Sequence, residues 1–206
     1  MKRPGFSVFH VRSARYGKTL VVKNAVHMAL VTRADTSPEI GHYELGTPTY
    51  QFAFEGKDLT TTVPLSGLRK DGRRVFWDVA QERYSPEGAF ALDVRQKRAA
   101  LEGADYVLFD SNVLGSSFPE VKNRSTMQSH LFQARDRETH EEEAACLMEL
   151  LQGPLSLASL SERLALPLEV VTVAVLRLWL KGRVVVPMRT QLLQPSWEVR
   201  RSDAPA

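Results

Sequence analysis

The run GRRVFWDVAQER, residues 72–83, sets one carboxylate, Asp78, inside an apolar, strand-like stretch and a second, Glu82, four residues further on. Hard divalent cations take oxygen ligands, so this is the first place in the chain to look for metal chemistry. Other residue types that carry chemistry are thinly spread. ARYGKT, residues 14–19, ends in the Gly-Lys-Thr of a phosphate loop, yet Arg12 stands where that pattern needs its first glycine. The glycine lets backbone N–H groups wrap a phosphate, and without it no nucleotide site is expected. The five histidines, His10, His27, His42, His130 and His140, include no H-x-x-x-H pair. His140 opens an acidic run and is a natural partner for the glutamates after it. No G-x-S-x-G turn and no Cys/His nucleophile arrangement occurs. The one cysteine, Cys146, lies in an apolar helical pattern and reads as a core residue. Alone it makes neither a disulfide nor a cysteine-rich zinc site.

The elements that must position these residues follow from pattern and punctuation. FSVFHV and TLVV, within residues 6–23, read as strands. NAVHMALVTRAD fits either helix or strand. TYQFAFEG alternates and is flanked by Gly and Pro, which predicts a strand between turns. DLTTTVPLSGLRKDGRRVFWDVAQER reads as a hairpin, with strands over about 59–68 and 73–80 and a turn at the Asp-Gly of RKDG. Ser85-Pro86-Glu87 is a helix start, Leu92, Ala99, Ala100 and Leu101 give that helix an apolar face, and Gly103 suits its stop. YVLFD is a short apolar run of buried-strand type. Strand, helix, strand in this order predicts an α/β sheet with a crossover.

Beyond about residue 118 the character changes. PEVKNRSTMQSHLFQARDRETHEEE is polar and reads as a linker or a surface helix. HEEEAACLMELLQG, SLASLSERLAL and PLEVVTVAVLRLWLKG then read as three helices, and RVVVPM and SWEVRR as two strands. Three helices followed by a small hairpin is the plan of a winged helix. The boundaries expected from sequence are a first domain over 1–120, a linker over 121–138 and a winged helix over 139–206.

At 206 residues the chain accommodates one large domain or two small ones. No apolar run is long enough to span a bilayer, since Arg177 and Lys181 interrupt the longest. The N-terminal stretch has no apolar segment of signal-peptide length. Together these predict a cytoplasmic protein with no membrane partner. The formal net charge is +3, and its distribution matters more than its size. KRPGFSVFHVRSARYGKTLVVK carries no acid, so Arg12, Arg15, Lys18 and Lys23 are candidates for phosphate contact. Arg183, Arg189, Arg200 and Arg201, around the expected wing, form a second basic group. Both groups read equally as solvated surface.

The order of these elements, and above all the run DGRRVFWDVAQER…DVRQKRAALEGADYVLFD, resembles the TnsA family, the endonuclease subunits of Tn-seven-like transposons. The resemblance implies an α/β fold with a restriction-endonuclease-like, PD-(D/E)XK first domain and a C-terminal winged helix. In that family the first domain cuts one strand at each transposon end, the winged helix serves DNA and partner contacts, and a separate transposase cuts the other strand. Such a nuclease needs carboxylates for Mg²⁺ and a lysine near the attacking water. The family's Asp after a Pro falls here in TVPLSG, where Pro64 is followed by Leu65 and Ser66. The (D/E)-x-K position corresponds to Asp78-Val79-Ala80, with alanine in place of the lysine. The helical glutamate belongs near VKNAVHMALV, and no acid occurs between Lys18 and Arg33. One expected group of four remains, and losing members of a cooperative catalytic set costs orders of magnitude in rate.

The expectation is therefore a catalytically degraded TnsA-like protein that binds DNA and protein in a transposition or related nucleoprotein complex, with no cofactor. Mg²⁺ would enter only if cleavage survives. Two alternatives stand beside it. One is an active endonuclease with a rearranged site built from Asp78, Glu82 and Lys97, and the other is a winged-helix adaptor with no transposition role. The third helix, LEVVTVAVLRLWL, is apolar almost all round, which argues against groove reading and for packing on another surface. Arg177, Trp179 and Lys181 are its candidate partner contacts, and Trp179 reads more readily as core than as interface.

Overall fold

The computed structural model describes residues 8–80, 84–109 and 118–203. The chain divides into two compact units. The first takes Met1–Val11, Val21–Ala34 and Glu39–Ser116, and the second takes Arg12–Leu20, Asp35–Pro38 and Ser117–Ala206. No helix among the described residues is long and apolar enough to cross a membrane.

A hairpin of β1 (Phe9–Ser13) and β2 (Lys18–Val22) leads into α1 (Ala25–Asp35). The ambiguous NAVHMALVTRAD is thus a helix, begun by the Asn24 side chain, which accepts from the His27 backbone N–H at 2.8 Å. The first unit is built on a four-stranded sheet in the order β3-β6-β7-β8, from β3 (Ile40–Leu45), β6 (Leu65–Arg69), β7 (Arg74–Val79) and β8 (Asp105–Phe109). The first three strands run antiparallel and β8 runs parallel to β7. The parallel pair needs a crossover, supplied by α2 (Pro86–Leu101). The Ser85 hydroxyl caps α2 by accepting from the Gly88 N–H at 3.0 Å, and Pro86 sits where no N–H is needed.

The expected strand over 59–68 is two strands. β5 (Lys57–Thr62) pairs with β4 (Thr49–Phe54) in a separate hairpin, and only from Leu65 does the chain enter the main sheet. Pro64 divides them because it has no N–H to give a ladder. Its carbonyl accepts from Gly46 instead. The β4–β5 turn is Glu55-Gly56, both with positive φ (49° and 73°), which suits the twist of a tight hairpin. β7 is buried along Val75–Val79 on both faces, which explains its unbroken apolar run. Phe76 packs with Val63 and Ala99 on the face that also carries Asp78.

The second unit contains α3 (Phe118–Gln133), α4 (His140–Glu149), a 3-10 turn (Leu150–Gln152), α5 (Leu157–Leu164) and α6 (Leu168–Leu180). Short strands β9 (Leu155–Ser156), β10 (Val184–Val185) and β11 (Glu198–Arg201) form a sheet in the order β10-β11-β9. The expected linker, 121–138, begins inside α3. Its Met127 and Leu131 are buried in the same core as Cys146, Leu160, Val175 and Trp197. The polar sequence of α3 hid this, because four of its polar side chains, Glu120, Asn123, Arg124 and Gln128, are themselves buried and bonded. Asn123 donates to the Met188 and Gln191 carbonyls at 2.9 and 2.6 Å and accepts from the Leu193 N–H at 2.7 Å. Arg124 donates to Glu120 and to Thr36.

Candidate functional site

Asp78 is completely buried near the C-terminal end of β7, a position where an ionised carboxylate must be paired. Its partner is Arg95, only 2% exposed, on α2. Arg95 Nε reaches Asp78 Oδ2 at 2.5 Å and Nη2 reaches Oδ1 at 3.1 Å, a bidentate ion pair. The Tyr106 hydroxyl donates to Oδ2 at 2.8 Å, and the Val79 N–H to Oδ1 at 2.8 Å. A carboxylate offers about four lone-pair sites, and here four donors fill them. Arg95 Nη1 also donates to the Thr61 hydroxyl, tying the β4–β5 hairpin to the same point. Burial first, and then the charge and hydrogen bond of Asp78, push the Tyr106 hydroxyl well above the ordinary tyrosine range.

Beside this cluster lies a cleft of about 550 Å³ within the first unit. Pro64 and Leu65 line it, as do His27, Leu30 and Val31 of α1, with Arg95 itself. These are the segments in which the resemblance looks for metal ligands, and they meet at one place. Pairing of β6 with β7 sets Leu65 opposite Trp77 and Ser66 opposite Phe76. Residues directly opposite share a sheet face, so the buried Ser66, rather than Leu65, is on the face of Asp78.

A magnesium ion does not fit these residues. Asp78 has no lone pair to offer it, and Leu65, Ser66 and Ala80 supply neither carboxylate nor lysine. Among the described residues no group of three His, Cys, Asp or Glu side chains converges as a metal site. Lys97 is 73% exposed on α2 and paired with Asp93 at 2.7 Å, whereas Asp78 is sealed inside, so the rearranged set is not assembled by these two. Glu82 lies outside the described residues.

The basic candidates separate into kinds. Lys23 is exposed and lines the cleft. Arg12 is exposed and stacks on Phe132 at 5.8 Å, and Lys18 lies 5.6 Å from the Tyr16 ring. Arg15 is structural, since its guanidinium donates to the Ser37 carbonyl at 3.2 Å and its N–H to the Asp35 carboxylate at 3.3 Å. Arg189 pairs with Glu120 at 3.2 Å. Arg183, Arg200 and Arg201 are exposed on β10–β11 and its flank.

The three partner candidates are engaged within the second unit. Arg177 donates to the Ala134 and Arg137 carbonyls, each at 2.7 Å, and Lys181 pairs with Glu143. Trp179 is half-buried with the Arg124 guanidinium 5.6 Å from its ring. Helix α6 is buried from Val170 to Leu176 and again at Leu178.

Arg95, Tyr106 and Thr61 were not singled out from the sequence. A signal existed for Arg95, which sits between Leu92 and Ala99 at helical spacing on an otherwise apolar face. A lone acid in a buried strand and a lone base on a buried helix face call for one another. No protein-family model matches this chain, and no curated protein matches it.

Proposed function

We propose that this chain is a TnsA-like, nuclease-fold protein that holds DNA without cutting it, serving as a DNA- and protein-binding subunit of a transposition or related nucleoprotein complex. The observation that carries the reading is the Asp78–Arg95 pair. A carboxylate at the one surviving ligand position is saturated by a guanidinium, a phenol and a backbone amide. A fixed internal cation takes the electrostatic part a divalent ion would play, and it cannot activate water. The order hairpin, α2, β8 in one sheet, and the order α4, β9, α5, α6, β10, β11 in the second unit, support the restriction-endonuclease-like and winged-helix readings.

In this reading α6 has no polar face to lay in a groove, because its residues are inside the second unit's core. Contact with DNA falls to exposed arginines such as Arg183, Arg200 and Arg201, which touch phosphates rather than bases. Partner contacts fall to residues other than Arg177 and Lys181, whose donors are held within the chain. The test is purified protein on supercoiled plasmid with Mg²⁺ or Mn²⁺, beside a binding titration across salt concentrations. The expected result is salt-dependent binding with no nicking. Nicking that disappears in Asp78→Ala overturns the reading. Recovery of a transposase or its ATPase regulator with the protein, purified from its native host, supports the complex.

A further inference from the structure

The cleft of the first unit combines apolar walls with two opposite charges at its rim. Val21, Leu45, Phe52 and Pro64 line it and keep part of their surface open to solvent, while Leu30 and Val31 form a buried floor. Lys23 lines it from just beyond β2, and Glu87 from the first turn of α2, and both are exposed. Among the described residues neither of these two side chains forms an ion pair or a hydrogen bond, with the other or with a third group. Arg95, which also lines the cleft, is already matched by Asp78. Lys23 and Glu87 are therefore the two full charges left uncommitted at the rim.

Charge decides which ligand suits this lining. A simple carboxylate drawn to Lys23 meets the like charge of Glu87, and a simple amine drawn to Glu87 meets the like charge of Lys23. A polyanion finds one lysine for its several charges and one acid against them. A zwitterion gains from both rim residues at once. The apolar walls then select what the zwitterion carries, because only a bulky apolar group takes the surface of Val21, Leu45 and Phe52 out of water. A cleft of about 550 Å³ is of a size that small-molecule sites have, with room for such a ligand.

We propose that this cleft binds a free α-amino acid with a bulky apolar side chain, its carboxylate toward Lys23, its ammonium toward Glu87 and its side chain against Val21, Leu45 and Phe52. The proposal gives the first unit a small-molecule ligand and stands independently of the DNA-binding reading above. It uses neither Asp78 nor any other position of the nuclease motif.

The experiment titrates L-phenylalanine into the full chain with labelled leucine and valine methyl groups, followed by NMR. Saturable shifts are expected at the methyls of Val21, Leu30, Val31 and Leu45, with a Kd on the order of 0.1–1 mM. N-acetylphenylalanine keeps only the carboxylate and phenylalanine amide only the ammonium, so each imitates one end of a peptide. Each is expected to bind about fivefold more weakly, the loss of one exposed ion pair. Lys23→Gln and Glu87→Gln are each expected to weaken phenylalanine binding by roughly two- to fivefold. Arg73→Gln, at the exposed β6–β7 turn and paired with Asp71, is the charge control and leaves it unchanged. Glycine, with no apolar group, is expected to give no saturable shift. Absence of saturable shifts with phenylalanine, shifts confined to methyls outside the cleft, equal binding by either blocked analogue or by glycine, or unchanged affinity in Lys23→Gln or Glu87→Gln each overturn the proposal. None of these outcomes touches the proposed function, which the plasmid and salt titrations decide.

Discussion

Removing Arg95 tests the central physical claim, that a buried cation of the protein's own neutralises Asp78. Arg95→Met keeps much of the side-chain volume but takes away two of the four donors on the Asp78 carboxylate and the donor to Thr61. What remains is a charge with no exposure to water. Breaking a buried pair from one side costs about 4 kcal/mol, nearly three decades in the folding equilibrium and a large share of a domain's stability. Asp78→Val should cost about as much, since it leaves the guanidinium unpaired. The double variant, Asp78→Val with Arg95→Met, replaces the pair by apolar groups. It should lie closer to wild type than either single variant, with a residual loss of about 2 kcal/mol from the unpartnered Tyr106 and Thr61 hydroxyls. The measurement is urea unfolding of the four proteins, with amide exchange at β7 and β8 to locate the loss in the first unit. A strong positive coupling between the two sites is the expected outcome. If the double variant loses as much as both singles combined, the two side chains act independently and the reasoning fails. If Arg95→Met is neutral, Asp78 is not ionised in the fold.

Tyr106 extends the same logic to pH. Its hydroxyl titrates above its ordinary value of 10.0, through burial and then Asp78. The folded state therefore holds this proton more tightly than the unfolded state. That stability is fully present below pH 10 and is lost as pH rises beyond it, and Tyr106→Phe should flatten the alkaline limb of a stability-against-pH curve. Asn123→Ala removes three hydrogen bonds between α3 and the loop over 188–193 and leaves the Met188 carbonyl and the Leu193 N–H without this partner, while the Gln191 carbonyl keeps Trp197 Nε1 at 3.2 Å. A loss of about 2 kcal/mol in urea unfolding is expected, with faster amide exchange at Leu193. Burial, followed by the charges of Glu142 and Glu143, pushes the Cys146 thiol up to about 11. At pH 8 it should resist a disulfide reagent in the folded protein and react at once in denaturant, and fast labelling of native protein would contradict the buried packing around α4.

Local pattern was enough for much of the fold. Ser85-Pro86 and Gly103 bounded α2 because caps and stops act within a turn of the residue that carries them. The Asp-Gly of RKDG gave the β6–β7 turn for the same reason. The apolar density of LEVVTVAVLRLWL told that α6 is inside, whatever packs on it. The sequence alone also determined that no carboxylate or lysine stands at Leu65, Ser66 or Ala80.

Tertiary structure decided the rest. The strand expected over 59–68 is two strands because Val63-Pro64 turns out of one sheet toward another, and partner choice is not written in a strand's own residues. Helix α3 looked like a linker because Asn123 and Arg124 are polar, and only their long-range partners make those positions suitable for a core. Asp78 and Arg95 are 17 residues apart in sequence, and each alone is an ordinary charged residue. The crossover that folds α2 back onto β7 brings them into contact, and low-dielectric burial then turns two commonplace charges into a sealed pair that leaves a metal nothing to bind.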